Sequence, residues 1–274
     1  MSEVLVTGAT GTTGSRVAAL LSDRGATVRM ATRTPNRAAH VRFEWGETGT
    51  YGPALGGAVS AVYLIAPVGV AEPAAVVRPF LDEAVAHGVR RVVLLGSSAV
   101  PAAAEGMGAL YDLVRESVPE WAVLRPSWFM QNFTGDHLVA RGVRAGEIAT
   151  ATGDGRVPFV DAGDIAAVAG HALLDPVPHN CEHILTGPAA LSYAEAAAIV
   201  SARIGRSVVH RHLSTGELRT RIVEFGIPEE FAGMLAALDD DIRGGAEDRV
   251  TDTVEQVTGR PARAFAAFVE REMS

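Results

Sequence analysis

Three glycines at regular spacing are the first residues in this chain that could do chemistry. Gly8, Gly11 and Gly14 stand in Val4-Leu5-Val6-Thr7-Gly8-Ala9-Thr10-Gly11-Thr12-Thr13-Gly14. A β-branched run precedes them and an amphipathic run (Val17, Leu20, Leu21) comes after, which reads as strand, tight turn, helix. In that setting Gly8 lets the chain reverse, Gly11 lets the backbone approach a pyrophosphate, and Gly14 lets the helix sit close on the strand. The helix start then offers unpaired N–H groups and the positive end of its dipole to phosphates. The spacing G-x-x-G-x-x-G differs from the G-x-G-x-x-G dinucleotide fingerprint, so an ordinary glycine-rich turn is the competing reading.

Cofactor choice depends on the residues just past the second strand. An Asp or Glu about twenty residues beyond such a turn accepts from a ribose 2′-hydroxyl. Here that neighbourhood holds Arg33, with Arg37 nearby and no carboxylate before Glu44. A guanidinium can bracket a 2′-phosphate with charge-assisted hydrogen bonds, so NADPH is expected over NADH. Arg37 reads equally well as a solvated loop charge.

What is missing also limits the chemistry. All 24 basic side chains are arginines, which excludes Schiff-base chemistry and any device needing a tunable lysine ammonium. Cys181 is the one cysteine, so there is no internal disulfide and no cysteine metal cage, and a small buried hydrophobe is its simplest role. The 8 histidines form no H-E-x-x-H pair; His210-x-His212 places two on one strand face without a carboxylate, and no metal site is expected. His137 and His183 could reach a pocket but read as surface or capped residues, and Asp161 or Asp164 as a helix N-cap.

The surrounding elements must position these residues. With 274 residues, 48% hydrophobic and 20% charged, the chain is globular and long enough for one large α/β domain with a smaller appendage. Its net charge of −8 and lack of a basic run argue against nucleic acid. The longest apolar run, Ala58 to Ala71, is broken by Pro67 and too short for a membrane span. A first strand starting at Glu3 leaves no room for a signal peptide, so a cytoplasmic protein is expected. Strands are read at Ala26 to Thr32, Val41 to Trp45, Val59 to Ala66, Arg91 to Leu95 and Trp121 to Leu124. Helices alternate with them, at Glu72 to His87 and Met107 to Ser117. Such βα units give a doubly wound parallel sheet, order 3-2-1-4-5-6, with ligands at the strands' carboxyl ends, where Ala66 and Pro67 fall. Gly142 to Thr152 reads as a loop or hairpin and 141–156 as a candidate lid. Glu182 to Thr186 is a further strand; the remainder is mainly helical. The expected division is a Rossmann domain over 1–187 and a helical, substrate-side subdomain over 188–274.

Several blocks together resemble the NmrA-like atypical short-chain dehydrogenases/reductases, and within them bacterial reductases related to festuclavine and agroclavine dehydrogenases. They are V-T-G-A-T-G-T-T-G (6–14), A-V-Y-L-I-A-P (61–67), L-R-P-S-W-F-M-Q-N-F (124–133), L-T-G-P-A-A-L-S-Y-A-E (185–195) and V-T-D-T-V-E-Q-V-T-G-R-P (250–261). The likeness implies a Rossmann fold with NADP(H) held by Gly8, Thr10, Gly11, Thr12, Thr13 and Gly14. Arg33, Ala66, Pro67, Gly96 and Ser97 would complete that shell, and Pro126 to Phe129 would face the nicotinamide. Trp128, Met130, Phe133 and Phe159 become substrate-pocket candidates, with Tyr63 behind them; plain core packing is the alternative for each.

Many short-chain dehydrogenases protonate through Tyr-x-x-x-Lys, which a chain without lysine cannot. Tyr111-x-x-x-Arg115 has the spacing, and Ser97 or Ser98 lies upstream, but arginine cannot adjust its own protonation. Tyr111 is therefore the one catalytic candidate and no proton donor is assigned. Hydride transfer to an iminium carbon needs no acid, and a quinone or enone could take its proton from water. The expectation is an NADPH-dependent oxidoreductase, monomeric or homodimeric, reducing a small, largely apolar imine, iminium, quinone or enone. The alternative is a non-catalytic NADP(H)-sensing regulator acting through a protein partner.

Overall fold

The computed structural model describes residues 3–100 and 105–273. In chain order the elements are β1 (Glu3–Val6), α1 (Gly14–Asp23), β2 (Thr27–Thr32), β3 (His40–Arg42), α2 (Tyr51–Leu55), β4 (Val59–Ile65), α3 (Pro73–Ala86), β5 (Arg91–Leu95), α4 (Gly106–Ser117) and β6 (Glu120–Pro126). There follow α5 (Leu138–Ala145), β7 (Glu147–Thr150), β8 (Arg156–Val157), α6 (Ala162–Leu174), β9 (Cys181–Leu185), β10 (Leu191–Ser192) and α7 (Tyr193–Ile204). The chain ends with β11 (Val209–His212), α8 (Thr215–Glu224), α9 (Glu229–Arg243), α10 (Thr253–Thr258) and α11 (Phe265–Glu272). No helix among the described residues is long and apolar enough to cross a membrane.

The chain divides into two compact units. The first comprises Met1–Pro126 and Ala162–Ile184, the second Ser127–Asp161 and Leu185–Ser274.

In the first unit the sheet order is β3-β2-β1-β4-β5-β6-β9, the expected order extended by one strand, and the pairs from β3 to β6 are parallel. Helices α1 and α6 pack on each other, as do α3 and α4, forming the covering layers of a Rossmann-type fold. Gly170 permits the first contact, since a Cβ there would lie 2.3 Å from Leu20 Cδ2. Strand β4 is buried on both faces through Ala61, Val62, Tyr63 and Leu64, as a central parallel strand requires. An edge-to-face aromatic group of Phe43, Trp45, Tyr51 and Phe80 closes the core beside β3.

The second unit begins earlier than the expected boundary at 187. Residues 127–161 belong to it because their apolar side chains join its core: Met130, Phe133, Val143, Ile148 and Phe159 pack with Tyr193, Val200 and Phe268. The 142–152 stretch is not a loop. It carries the end of α5, a left-handed cap at Gly146 and β7, which pairs in parallel with β11. Ile148, Ala151 and Thr152 are fully buried, so the middle of the candidate lid 141–156 is anchored in the core, while Arg141, Gly142, Ala145, Glu147 and Ala149 line a cavity. Glycine obscured this: Gly142 lies against Glu147, where a Cβ would approach the carbonyl oxygen to 2.6 Å. In the remainder, expected to be mainly helical, residues 246–252 are not helical and α10 forms only over Thr253–Thr258.

Candidate active site

The glycine turn leaves β1 under tight control. Buried Thr7 accepts from the Ile65 N–H at 2.7 Å and donates to the Tyr63 carbonyl at 3.2 Å, tying the end of β1 to the end of β4. Gly8 then turns with φ +57°, the left-handed region that favours glycine. The Gly11 N–H closes the turn on the Gly8 carbonyl at 2.9 Å. A Cβ on Gly14 would sit 2.3 Å from that carbonyl oxygen, so the helix can start this close to the strand only without a side chain. Thr13, at the N-cap, makes no side-chain cap, and the first turn of α1 has no acidic residue. Gly8, Thr10, Gly11 and Thr12 are exposed, while Thr13 and Gly14 are buried beneath them. An uncapped helix start under an exposed glycine turn fits a dinucleotide pyrophosphate.

The other shell residues lie at the carboxyl ends of neighbouring strands in this unit. Arg33 follows β2, is exposed, and makes no ion pair or side-chain hydrogen bond among the described residues; Arg37 is likewise unpaired. Ala66 and Pro67 follow β4, and Gly96 and Ser97 follow β5, all half-buried. Because the order reverses between β1 and β4, this is the crevice where open α/β sheets take their ligands.

Tyr111 occupies a structural position behind that crevice. Its hydroxyl accepts from the Ser97 N–H at 2.9 Å and donates to the Ser97 carbonyl at 3.3 Å. It is 2% exposed, and burial raises its pKa above the usual phenol value. Gly96 makes room for it, since a Cβ there would meet the phenol oxygen at 2.4 Å. Arg115 does not serve it: that guanidinium pairs with Glu182 at 2.9 Å and lies over Trp121. The cation beside Tyr111 is Arg125, 5.7 Å from the ring centroid, bonded to Glu182 at 2.6 Å and to the Ser97 and Val100 carbonyls. Sequence reasoning missed Arg125, although its place near the end of β6, in L-R-P, marks a ligand-side position.

The second unit contains a cavity of about 540 Å³. Trp128, Leu138, Tyr193, Ile222, Phe225 and Leu235 supply most of its apolar wall, and Asn132, His137, Thr150 and Asp239 its polar points. The extended strip that carries Trp128 is fixed by backbone bonds, Ser127 N–H to the Leu185 carbonyl and Val160 N–H to the Trp128 carbonyl, each 2.9 Å. Of the four expected pocket residues only Trp128 lines this cavity. Met130, Phe133 and Phe159 are 0–2% exposed and belong to the core, where Phe133 and Phe159 meet edge to face. Tyr63 is fully buried in the first unit.

His137 caps α5, its Nδ1 accepting from the Val139 N–H at 3.2 Å, and still reaches the cavity wall; burial lowers its pKa. His183 lies in the first unit beside His179 and Cys181. Asp161 accepts from Gln131 and pairs with Arg263. Among the described residues no group of three His, Cys, Asp or Glu side chains could hold a metal ion.

Comparison with known proteins decides the family. The model of the NmrA-like family matches residues 112–266, and an NAD(P)H-binding model matches 8–176. An uncharacterized oxidoreductase of Bacillus subtilis, YesF, is 47% identical over 97% of this chain and 93% of its own. The chain belongs to the NmrA-like family. Other relatives of this NmrA-like protein include festuclavine synthase II of Penicillium roqueforti and an agroclavine dehydrogenase of Claviceps fusiformis. Each is 36% identical and covers 96% or more of both chains. The fold is shared with an NADPH-dependent quinone oxidoreductase of Escherichia coli solved with NADPH (TM-score 0.82, 23% identity, covering 99% of this chain and 100% of that one). The NmrA-like chain is thus an NAD(P)H-dependent oxidoreductase with a Rossmann-type sheet.

Proposed function

We propose that this protein is an NADPH-dependent reductase that delivers hydride to a small, largely apolar acceptor, an imine or iminium, or a quinone or enone. The cavity of the second unit carries the reading: about 540 Å³, walled by apolar and aromatic side chains with few polar points, which is the make-up of a small-molecule pocket. Trp128 belongs to both the strand-end sequence and the cavity, lying two residues past the end of β6 and lining the cavity wall.

Unpaired Arg33 supports NADPH over NADH, since a free guanidinium after β2 is available for a 2′-phosphate. NADPH, when bound, supplies the hydride. The chain's residues bind and orient: the glycine turn and α1 take the pyrophosphate, Gly96 and Ser97 support the adjacent crevice, and the cavity excludes water from an apolar acceptor. Without a lysine, and with Tyr111 turned to Ser97, an acceptor that needs no enzyme-held acid suits this site. A regulator that only senses NADP(H) has no use for so large an apolar cavity, which favours the reductase.

The test is the loss of reduced-nicotinamide absorbance with iminium, quinone and enone acceptors. Turnover with at least one class, faster with NADPH than NADH, is expected. No turnover with any, together with equal affinity for oxidised and reduced cofactor, would sink the reductase in favour of the sensor.

A further inference from the structure

The second unit's cavity contains a buried carboxylate that no ion pair among the described residues holds directly, the Arg243 charge acting on it only from a distance. Asp239 lies on the inward stripe of α9 with Ala232, Ala236 and Ile242, and is 9% exposed. Its Oδ2 accepts from the Ala151 N–H at 2.8 Å, while Oδ1 has no hydrogen-bond partner among the described residues. Arg243, one turn further on, is committed elsewhere: it pairs with Asp240 and donates to the Ala151 carbonyl at 3.2 Å. Burial pushes the Asp239 pKa up to about 6, which still leaves the group mostly ionised at neutral pH. A charge held in apolar surroundings is costly unless a partner arrives to compensate it.

The rest of the wall suits a cation. Trp128, Tyr193 and Phe225 line the same cavity, and aromatic faces attract positive groups. Phe225 already carries one, with the Arg141 guanidinium 4.3 Å from its centroid. Arg141 is itself neutralised by Asp136 at 2.9 Å and Glu147 is paired with Arg211 at 3.5 Å; Arg221 and Glu224 offset each other among the remaining lining charges, which leaves Asp239 as the carboxylate in excess. The Tyr193 hydroxyl stays protonated, because burial and the charge of Asp239 both raise its pKa, and it competes for no cation.

We propose that this cavity selects acceptors bearing a positively charged nitrogen (a protonated amine, an iminium or a quaternary ammonium), with Asp239 as counter-ion and Trp128 and Tyr193 as aromatic walls. The inference rests on reading the cavity as the acceptor pocket and narrows the class of molecule it takes. Asp239 touches the bound cation and leaves the cofactor alone.

The test is calorimetric titration of the full chain with phenyltrimethylammonium and its neutral carbon isostere tert-butylbenzene, in wild type and Asp239→Asn. Asn still offers an oxygen to the Ala151 N–H, so the fold is expected to survive; a thermal melt and an NADPH titration check it. Wild type is expected to bind the cation about tenfold tighter than the isostere, on the order of one desolvated cation–π contact with its counter-ion. Asp239→Asn should remove that preference without changing affinity for tert-butylbenzene. Equal binding of the two probes by wild type, no binding of the cation, or a preference that survives in Asp239→Asn would each overturn the proposal. So would a hundredfold fall in quinone reduction in Asp239→Asn, because that outcome makes Asp239 a proton donor. Failure of wild type to bind NADPH would instead overturn the reductase reading and leave the cation result standing.

Discussion

Tyr111 spends its hydroxyl on Ser97, accepting from that residue's N–H at 2.9 Å and donating to its carbonyl at 3.3 Å. This pins α4 to the loop that follows β5 and removes the phenol from solvent. Tyr111→Phe is therefore expected to lower stability by about 1 kcal/mol, the usual net worth of a buried hydrogen bond, and to change turnover by less than about threefold. A general acid would cost roughly 10² to 10⁴ in rate when removed. A denaturant melt beside a steady-state assay separates the two roles.

Arg33 is expected to set cofactor preference. Arg33→Ala should weaken NADPH by about 10- to 100-fold, the scale of a charge-assisted hydrogen bond or two, and leave NADH nearly unchanged. Fluorescence titration with both cofactors measures it. Equal loss for the two would show that Arg33 does not read the 2′-phosphate.

Gly14 is where the turn tolerates least. A methyl group there would meet the Gly8 backbone at 2.3 Å, and backbone cannot rotate aside as a flexible side chain can. Gly14→Ala is expected to destabilise the protein by about 1–3 kcal/mol and to weaken NADPH binding, because the turn must open to admit it. The neighbouring Gly11→Ala, whose Cβ would meet only the Gly8 oxygen at 3.2 Å, should cost less stability. Thermal melts of the two variants, each with and without NADPH, make the comparison.

Asp239 gives a pH signature. Its carboxyl is held up from 3.8 to about 6, first by burial, against the opposing Ala151 N–H and the Arg243 charge. The protonated form is thus favoured in the folded state: its contribution is complete below pH 3.8 and is lost as pH rises through about 6. Asp239→Asn, which stays neutral throughout, should gain about 3 kcal/mol over wild type at pH 8 and nothing at the acid end, since each pKa unit is worth about 1.4 kcal/mol. Urea unfolding at the two pH values tests the sign. A gain at acid pH, or none at pH 8, contradicts the assignment of Asp239 as an uncompensated charge.

The first unit was legible because its signals are local. Alternating apolar runs and helical periodicity placed β1 to β6, and the order 3-2-1-4-5-6 follows from right-handed connections between parallel strands. The glycine turn was legible for the same reason, its spacing being a backbone requirement. The second unit was harder because its core is assembled from two distant stretches. Nothing local says that Phe133 and Phe159 meet Tyr193 and Phe265, so aromatic residues that read as pocket proved to be core. Arg125 and Arg115 show a related limit, since both reach Glu182 on β9 and only the tertiary pairing tells which of them lies beside Tyr111. Asp239 did leave a trace in the sequence: in Asp239-Asp240-Asp241 it alone falls on the stripe of Ala232, Ala236 and Ile242, and a carboxylate on an apolar stripe marks a site.

The acceptor is expected to be reduced in the second unit's cavity. Ala149 lines that cavity, and Ala149→Phe would fill part of it without touching the glycine turn. The direct measurement is NADPH oxidation with an accepted substrate, wild type against Ala149→Phe, beside an NADPH titration of each. The expected result is a fall in kcat/KM of about tenfold or more with the NADPH Kd unchanged. Unaltered turnover in a folded Ala149→Phe variant would contradict it.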